Sequence, residues 1–526
     1  MKALLVFLAC TFTSILPARA ARPNIVLILA DDMGFSDLGC YGGEIATPHL
    51  DGLAREGLRF TQFYNAARCC PSRAALLTGL YPHQAGIGHM VDDYAQATRA
   101  KLGGPAYTTQ LNERCVTIAE ALRTGGYATF MSGKWHVGNA REAWPDRRGF
   151  ERSFALIGGA SNYFGSGAQL SGDKAMKFAL DGAEWSPPRD GFFATDAFTD
   201  RAVEFLRERP DATRPFFLYL AYTAPHWPLH AHPADIEKYR GKYREGWDAI
   251  RERRHQRQAE LLGVKWALSP RDPAMPEWNA LSDEKKAEWD LRMAIYAAQI
   301  EQMDRGIGRV LATLRELGAE RDTLVLFLSD NGASHERIER GAPGAEMGTR
   351  DSYTSCRLPW ANVSSTPFRA HKSRTHEGGI ATPCIARWPA GIAQPANTDQ
   401  PAHVIDLMAT CLDVAGVEYP KTFAEREIAP REGVSFAPVF RSEPLPPRTL
   451  FWEHEGNRAV REGAWKLVSR FPGPWELYDL ATDRTELRDL ADEQPERVRE
   501  LAEKYGAWAT RCAVRPWELT LANATK

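Results

Sequence analysis

The chain has 526 residues, of which 44% are apolar and 10% aromatic, enough to bury one large core or two to three smaller ones. Its 65 basic and 67 acidic residues give a formal net charge of −2, which excludes a global field for nucleic acid or a membrane surface. We therefore expect a globular protein whose partner is a small molecule or a glycan, with affinity for anions confined to a local site.

The first twenty residues have the pattern of a secretory signal peptide. Lys2 supplies a basic start, residues 3–16 are apolar, and residues 18–20 read Ala-Arg-Ala, which fits a small-residue cleavage site. We expect a cleaved signal at residues 1–20 and export of the chain to the periplasm or the medium. A buried N-terminal strand or an uncleaved anchor is the alternative. No later stretch is apolar enough to span a bilayer, so we expect no stable membrane anchor.

Nine cysteines are spread along the chain at wide spacings. Cys10 would leave with the signal peptide, and the other eight form no CxxC pair and no Cys/His cluster with the spacing of a zinc site. Export permits disulfides, but the spacing favours no particular pairing.

Four nearly continuous apolar runs predict buried strands of a parallel sheet, at residues 24–30, 127–131, 215–222 and 323–328. Between them, apolar positions three and four residues apart predict helices, at residues 117–124, 196–209 and 293–317. This alternation favours an α/β fold with a large, mostly parallel sheet between helices. In such sheets ligands bind at the carboxyl edge, and each of the four runs ends at polar residues.

Other stretches interrupt this pattern. Residues 233–292 are rich in charge and predict a solvated helical insertion, and residues 332–365 predict a long loop. A linker rich in proline and glutamate follows at residues 419–447. Beyond it the sequence predicts short strands and then a helix, at residues 450–453, 458–462, 464–469 and 495–510. We therefore predict a catalytic domain at residues 21–445 and a small α+β domain at residues 446–526.

Two of the predicted strand ends carry candidate ligands for a metal ion. Asp31 and Asp32 follow the first run, and Asp330 and Asn331 follow the last. Carboxylate and amide oxygens suit a hard cation, Ca²⁺ more than Mg²⁺, rather than zinc. Adjacent aspartates also occur in turns, so the prediction depends on the two pairs meeting at one sheet edge.

Cys69 is the candidate nucleophile. Pro71 suits the first turn of a helix that runs through Leu76, which would place Cys69 just before the helix N-terminus, where free backbone N–H groups favour anions. Arg73 adds a guanidinium on the same turn. A purely structural Cys-Cys-Pro turn is the alternative.

Four basic residues are candidates for proton transfer and anion binding. Lys134 and His136 lie two apart at one predicted strand end, so an extended backbone would point both side chains to the same side. His226 follows another strand, and Lys372 lies in a polar segment beyond the long loop. Each has an ordinary structural explanation when taken alone, so their significance depends on the rest of the site.

The segment Cys69-x-Pro71-Ser72-Arg73, followed by Leu77-Thr78-Gly79, resembles the signature of the type I sulfatases, in which the first cysteine is oxidised to formylglycine. From residue 23 to about residue 388 the chain is similar to the arylsulfatase branch of the alkaline phosphatase-like superfamily. The resemblance implies a Ca²⁺ ion bound by Asp31, Asp32, the modified Cys69, Asp330 and Asn331.

The resemblance also implies a role for each basic candidate. Arg73 and Lys134 would steady the formylglycine, and His136 would act as the base on its hydrate. His226 and Lys372 would hold the sulfate and assist the leaving oxygen. One hydroxyl of the hydrate would attack sulfur, and loss of the other proton would re-form the aldehyde and expel sulfate.

We therefore predict an exported, Ca²⁺-dependent sulfatase that cleaves an aryl or glycan sulfate monoester and needs a formylglycine-generating enzyme for maturation. One alternative is a phosphatase or phosphonate monoester hydrolase on the same fold. Another is an inactive glycan-binding protein that retains the fold. Ala381 stands where the family frequently has arginine, so the segment around it does not indicate a substrate subclass.

Overall fold

The computed structural model describes residues 22–165 and 177–521. The predicted signal peptide lies outside the described residues. Within those two ranges, none of the helices combines the length and the apolar character needed to span a bilayer. Each of the eight cysteines in the described ranges is buried and unpaired.

A mixed eleven-stranded sheet and a separate four-stranded antiparallel sheet organise the chain. The strands, numbered in chain order, are β1 Asn24–Ala30, β2 Leu58–Tyr64, β3 Ala128–Lys134, β4 Arg152–Leu156, β5 Phe178–Leu180, β6 Ala183–Trp185, β7 Phe216–Ala221, β8 Thr323–Ser329, β9 Ala381–Arg387, β10 Ala396–Thr398, β11 Ala402–His403, β12 Thr422–Phe423, β13 Arg426–Glu427, β14 Thr449–His454, β15 Asn457–Glu462, β16 Trp465–Ser469 and β17 Glu476–Asp479.

Helices cover the large sheet and the C-terminal strands. They are α1 Pro48–Glu56, α2 Cys69–Thr78, α3 Gln96–Leu102, α4 Ile118–Thr124, α5 Ala194–Arg207, α6 Pro233–Glu237, α7 Trp247–Leu262, α8 Asp283–Glu316, α9 Arg357–Ser364, α10 Glu377–Ile380, α11 Asp406–Ala415 and α12 Pro495–Arg511.

The large sheet has the strand order β10-β2-β9-β8-β1-β7-β3-β4-β5-β6, with β11 also paired to β2. Strands β8, β1, β7, β3 and β4 run parallel to one another, and β9 is antiparallel to both β2 and β8. All four predicted strands therefore lie side by side in the centre, and the prediction of a mostly parallel sheet is confirmed. Their continuous apolar runs are explained by burial on both faces.

The predicted helices are present with shifted ends. Thr117 caps α4, because its side chain accepts a hydrogen bond from the Glu120 backbone N–H while Glu120 bonds back to Thr117. Helix α8 begins ten residues earlier than predicted, at Asp283, where the Ser282 side chain accepts from the Lys285 N–H. Its first turns carry many charges, so their sequence shows little apolar periodicity, and the cap marks the start instead.

Two predictions of irregular or solvated structure are correct only in part: residues 332–356 are irregular and the insertion at residues 233–292 is helical, but each stretch also contains buried structure. The predicted loop at residues 332–365 contains α9, whose Trp360 is fully buried and donates to the Trp289 carbonyl at 2.9 Å. The predicted solvated insertion contains α7, which buries Trp247 and Ile250 and also Arg254. Arg254 is buried because Asp37 and Glu44 neutralise it, which sequence periodicity does not show.

The predicted linker at residues 419–447 packs against the large sheet. Phe436 is fully buried and meets Phe60 and Phe63 edge to face, with ring centroids 5.4 and 5.8 Å apart. The four-stranded sheet β14–β17 follows, with α12 packed on it; β17 was not predicted. The boundary between residues 445 and 446 remains a prediction.

Candidate active site

The carboxyl ends of β8, β1, β7 and β3 meet at one edge of the large sheet because these strands are parallel neighbours. Polar side chains from all four strand ends are buried there. The predicted residues at this edge are Asp31 and Asp32 after β1, Lys134 at the end of β3, His136 beyond it, His226 after β7, and Asp330 and Asn331 after β8.

One half of the site is an ion-pair network around Asp31. Lys134 donates from Nζ to Asp31 Oδ2 at 2.6 Å. Arg73, from α2, donates from Nε to Asp330 Oδ2 at 2.9 Å and from Nη1 to the Lys134 carbonyl at 2.9 Å. All four side chains are fully buried, so each charge depends on its partners. Arg73 and Lys134 thus lie side by side between the carboxylates of Asp31 and Asp330.

The other half is centred on Asp32. Lys372 Nζ lies 2.8 Å from Asp32 Oδ1 and 2.9 Å from Oδ2, and Asn331 Nδ2 donates to Oδ1 at 2.6 Å. His226 Nε2 lies 3.5 Å from Asp32 Oδ2. Burial raises the pKa of Asp32, but Lys372 and His226 outweigh it, and the net pKa lies below the ordinary value. Asp32 is therefore ionised at neutral pH.

Cys69 is the first residue of α2 and Arg68 is the N-cap, so the helix begins at Cys69 itself and not just after it as predicted. The Cys69 side chain is almost fully buried and lies beside Cys70 and His136, with potential ligand atoms of the three within 4.8 Å of one another. A hydrogen bond from Cys70, followed by the charges of Lys134 and His136, lowers the pKa of Cys69 well below its ordinary value against the effect of burial.

His136 has a partner that the sequence did not indicate. Its Nε2 lies 2.8 Å from Asp92 Oδ2, while its Nδ1 is buried and without a hydrogen-bond partner. Burial lowers the pKa of His136, but the Asp92 carboxylate outweighs burial and raises it. The backbone at His136 is left-handed, with φ 58°, so the predicted extended backbone was wrong at this residue, although both side chains lie near Cys69.

Glu336 is a second partner that sequence reasoning missed. It lies 3.0 Å from Lys372 Nζ and accepts hydrogen bonds from Trp227 Nε1 at 2.9 Å and from Arg68 Nη2 at 3.1 Å. Burial opposes the charge on Lys372, but Asp32 and Glu336 outweigh it and raise the pKa of Lys372. Burial lowers the pKa of His226 to about 4, which leaves this imidazole neutral at pH 7.

The oxygen atoms at the sheet edge fit a hard cation. Asp31 Oδ1 and Asn331 Oδ1 are buried and have no hydrogen-bond partner. Burial, followed by the negative charge of Asp31, raises the pKa of Asp330 to about 7, so the ionised carboxylate is disfavoured there when no cation is bound. A cation would satisfy both free oxygens and offset the crowded negative charge. The carboxylate and amide donors present are those that Ca²⁺ and Mg²⁺ prefer.

A cavity of about 580 Å³ opens above these residues, a volume that accommodates a small ligand. The cavity is lined both by residues predicted from the sequence and by residues that only the structure placed there, and the exposed Tyr94 also lines it. The polar lining residues include Arg68, Cys69, Asp92, His136, His226, Glu336 and Lys372.

Comparison with known proteins places this site in a family. The family model described as "Sulfatase" matches residues 23–417, and the model described as "N-sulphoglucosamine sulphohydrolase, C-terminal" matches residues 370–505. An uncharacterized sulfatase of Schizosaccharomyces pombe is 34% identical over 519 residues, which cover 93% of each chain. An arylsulfatase of Klebsiella aerogenes is 34% identical over 440 residues, or 80% of this chain and 93% of the relative.

Solved structures show the same architecture. The structure of Ps i-CgsB has a TM-score of 0.69 and 25% identity, and covers 96% of this chain and 98% of its own. A phosphonate monoester hydrolase of Agrobacterium radiobacter shares the fold at a TM-score of 0.56 and 19% identity, over 93% of this chain and 96% of its own. The expected alkaline phosphatase-like fold is thereby confirmed. The chain belongs to the sulfatase family and is a sulfuric ester hydrolase.

Proposed function

We propose that this protein hydrolyses an aryl or glycan sulfate monoester through a formylglycine made from Cys69, with Ca²⁺ at the sheet edge. The observation that carries the proposal is the position of Cys69: it lines the cavity at the start of α2, beside His136 and within the field of Lys134 and Lys372. A group that attacks a sulfate ester needs this combination of a base and cationic side chains.

The metal would be held by Asp31, Asp32, Asp330 and Asn331, together with the modified side chain at position 69. Support comes from the two buried oxygens without hydrogen-bond partners and from a donor set made of oxygen alone. When bound, the ion would supply positive charge that stabilises the negative charge developing on the sulfuryl oxygens.

His136 is the proposed base. Asp92 holds Nε2, which leaves Nδ1 free to take a proton in the neighbourhood of residue 69. A formylglycine hydrate would offer one hydroxyl that attacks sulfur and a second whose proton His136 removes when sulfate departs. The negative charge of Asp92 stabilises the imidazolium that forms, as a carboxylate does for other catalytic histidines.

The anion would be held by the cationic side chains. Arg73 and Lys134 are fixed by buried carboxylates, so they need little reorganisation when charge develops. Lys372 is fixed between Asp32 and Glu336 and would contact the sulfate. His226 donates from Nδ1 to the Trp227 carbonyl at 2.6 Å, which orients Nε2 towards Asp32. To assist the leaving oxygen as an acid, His226 would have to gain a second proton at Nε2.

Mass spectrometry of the tryptic peptide that contains Cys69 tests the proposal. Formylglycine is expected at position 69 in protein from its native host, and thiol is expected at Cys70 in the same peptide. An intact thiol at position 69 would contradict the hydrolytic mechanism and favour an inactive glycan-binding protein.

The substrate is tested by parallel assays with a chromogenic aryl sulfate, a panel of sulfated mono- and oligosaccharides, and the matching phosphate and phosphonate monoesters. We expect sulfate esters to be turned over with the higher kcat/KM. A preference for the phosphonate would contradict the sulfate assignment. The 580 Å³ cavity supports a substrate of the size of one or two sugar rings or a substituted aryl group.

We also propose that the chain is exported after removal of residues 1–20 and that a formylglycine-generating enzyme modifies it. The sequence pattern of residues 1–20 supports export. N-terminal sequencing of protein from the native host is expected to begin at Ala21. An N-terminus at Met1 would contradict cleavage.

A further inference from the structure

A second cluster of potential metal ligands lies outside the active site. His89 belongs to the loop after α2, His454 is the last residue of β14, and Glu455 begins the turn between β14 and β15. Glu455 Oε1 lies 3.8 Å from His89 Nδ1 and 3.5 Å from His454 Nε2, and potential ligand atoms of the three residues lie within 4.8 Å of one another. We call these three residues the His89 cluster.

The imidazoles of this cluster are buried without the partners that buried polar groups normally have. His454 is fully buried, and neither of its ring nitrogens makes a hydrogen bond; His89 is 5% exposed, and its Nδ1 makes none. A buried nitrogen without a partner costs free energy, so an otherwise well-packed protein keeps such atoms rarely. The unpartnered nitrogens of both rings lie near the same carboxylate.

The turn that carries the cluster has an unusual residue. Glu455 and Gly456 form the two-residue connection between β14 and β15, and both have positive φ, 52° and 77°. Glycine, asparagine and aspartate are the residues that favour such a turn, and glutamate is not among them. The left-handed backbone lets the Glu455 side chain approach that of His454, whereas successive side chains of a strand point to opposite faces.

The charge states suit a divalent cation. Burial, followed by the neighbouring His454, lowers the pKa of His89 to about 3, so this ring is neutral and its nitrogen can bind a metal. Burial opposes ionisation of Glu455, but His454 and Arg68 outweigh it and lower the pKa of Glu455. Arg68 itself is paired with Glu336 at 3.1 Å, which limits its repulsion of a cation.

From this geometry we propose that His89, His454 and Glu455 bind a zinc ion. Two imidazole nitrogens and one carboxylate oxygen are a known zinc donor set, and tetrahedral geometry leaves a fourth position for water. The carboxylate lies 3.5 and 3.8 Å from the two imidazole nitrogens, and the ligand atoms of all three residues lie within 4.8 Å of one another, so they would draw together to lie about 2.0–2.2 Å from one ion. Imidazole favours zinc over calcium, which separates this site from the oxygen-rich sheet edge.

A bound zinc would tie the C-terminal sheet to the wall of the substrate cavity. His89 directly precedes Met90, which lines that cavity and contacts the Cys70 sulfur at 3.3 Å. Three residues after His89, Asp92 holds His136. The ion would thus connect the β14–β15 turn to the segment that contains Met90 and Asp92, both of which line the cavity. The zinc site does not depend on the proposed sulfatase mechanism.

The test is equilibrium dialysis of the full chain against Zn²⁺ with excess Ca²⁺ present, followed by elemental analysis. The variants are His454→Gln and Glu455→Gln. The control is His83→Gln, because His83 is also buried and lies 2.8 Å from Glu453 of β14 but belongs to no ligand cluster among the described residues. Cobalt substitution adds a spectroscopic measurement, because tetrahedral Co²⁺ has intense visible bands.

We expect one zinc per chain in the parent and in His83→Gln, with at least about tenfold weaker binding in His454→Gln and Glu455→Gln. The visible absorption bands of tetrahedral Co²⁺ should be present in the parent and in His83→Gln, and weaker in His454→Gln and Glu455→Gln. Equal zinc affinity in all four proteins, or no zinc in the parent, would overturn the proposal. If His454→Gln does not fold, Glu455→Gln decides, because its side chain is partly exposed at a turn. The same result in a Cys69→Ala background is expected, which separates this site from the catalytic proposal.

Discussion

Two clusters of buried charge lie only five residues apart along the chain. Lys372 belongs to the active-site edge, whereas Glu377 joins the large sheet to the C-terminal sheet. At the junction, Glu377 accepts from Lys466 Nζ at 2.7 Å and from the Tyr64 hydroxyl at 3.1 Å, and it also contacts Arg484. Lys466 lies 2.8 Å from Glu486 as well. We call Glu377, Lys466, Arg484 and Glu486 the junction cluster.

The two clusters differ in what they leave unsatisfied. In the junction cluster both carboxylate oxygens of Glu377 accept hydrogen bonds, and Glu486 Oε1 lies 2.8 Å from Lys466 Nζ, although Glu486 Oε1 and Arg484 Nε make no hydrogen bond. At the active-site edge, Asp31 Oδ1, Asn331 Oδ1 and His136 Nδ1 are buried without hydrogen-bond partners. Buried polar atoms are normally paired, and the free atoms at the edge are acceptors that could bind a cation or a proton. We expect changes at the edge to affect catalysis and changes at the junction to affect stability.

The largest expected effect is that of Cys69→Ala. Turnover should fall by about 10⁴-fold or more, because the nucleophile is lost. The midpoint of urea unfolding should stay close to that of the parent, because the substitution removes one sulfur beside a cavity. Cys70→Ala is the control and should retain most of its activity. Substantial sulfatase activity in Cys69→Ala would refute the nucleophile assignment.

Lys466→Met should have the opposite effect. Removing this ammonium leaves the buried carboxylates of Glu377 and Glu486 without one partner, which costs about 3–5 kcal/mol of stability. Urea unfolding monitored by circular dichroism measures the loss, and activity at low temperature should persist. Lys504→Met is the matched control, since Lys504 pairs with Glu462 at the surface and should contribute little. If Lys466→Met had the same urea unfolding midpoint as the parent, the expectation that changes at the junction cluster affect stability would be contradicted.

Asp330→Ala should remove the metal ion from the sheet edge. Calcium measured by elemental analysis should fall from one per chain, and kcat/KM should fall by about 10²–10³-fold, the usual effect of losing a charge-stabilising group. Treatment of the parent with a calcium chelator should reproduce the loss. Asp290→Ala is the control, because Asp290 is also a buried aspartate but accepts hydrogen bonds from the backbone N–H groups of Gly241 and Tyr243, away from the sheet edge. Undiminished calcium in Asp330→Ala would count against this ligand set.

Asp92→Asn should have the smallest effect of the four substitutions, and it tests whether His136 is the base. The asparagine keeps the shape but removes the negative charge that raises the pKa of His136. The base would then lose its proton at lower pH, so the acid limb of the kcat/KM profile should move to lower pH. We also expect kcat to fall by about tenfold or more, because the imidazolium loses its counter-charge. A profile that coincides with that of the parent would contradict His136 as the base.

The amino-acid sequence by itself determined the centre of the fold. Continuous apolar runs buried on both faces identified β1, β3, β7 and β8, and the polar residues after them identified the site edge. These features are local, since each depends on a few consecutive residues. The same locality explains why α4 and α5 were predicted to within two residues at each end.

Only the tertiary structure showed which acidic residues pair with the basic residues noted in the sequence. Asp92 lies 44 residues before His136, Glu336 lies 36 before Lys372, and Glu44 lies 210 before Arg254. Nothing in their local sequence distinguishes them from other acidic residues on loops. A buried charge needs a neighbouring group of opposite charge. Which group lies near it depends on the tertiary fold, and the fold depends on contacts throughout the core. The candidate metal ligands and nucleophile could therefore be proposed from the sequence, whereas the groups that pair with them could not.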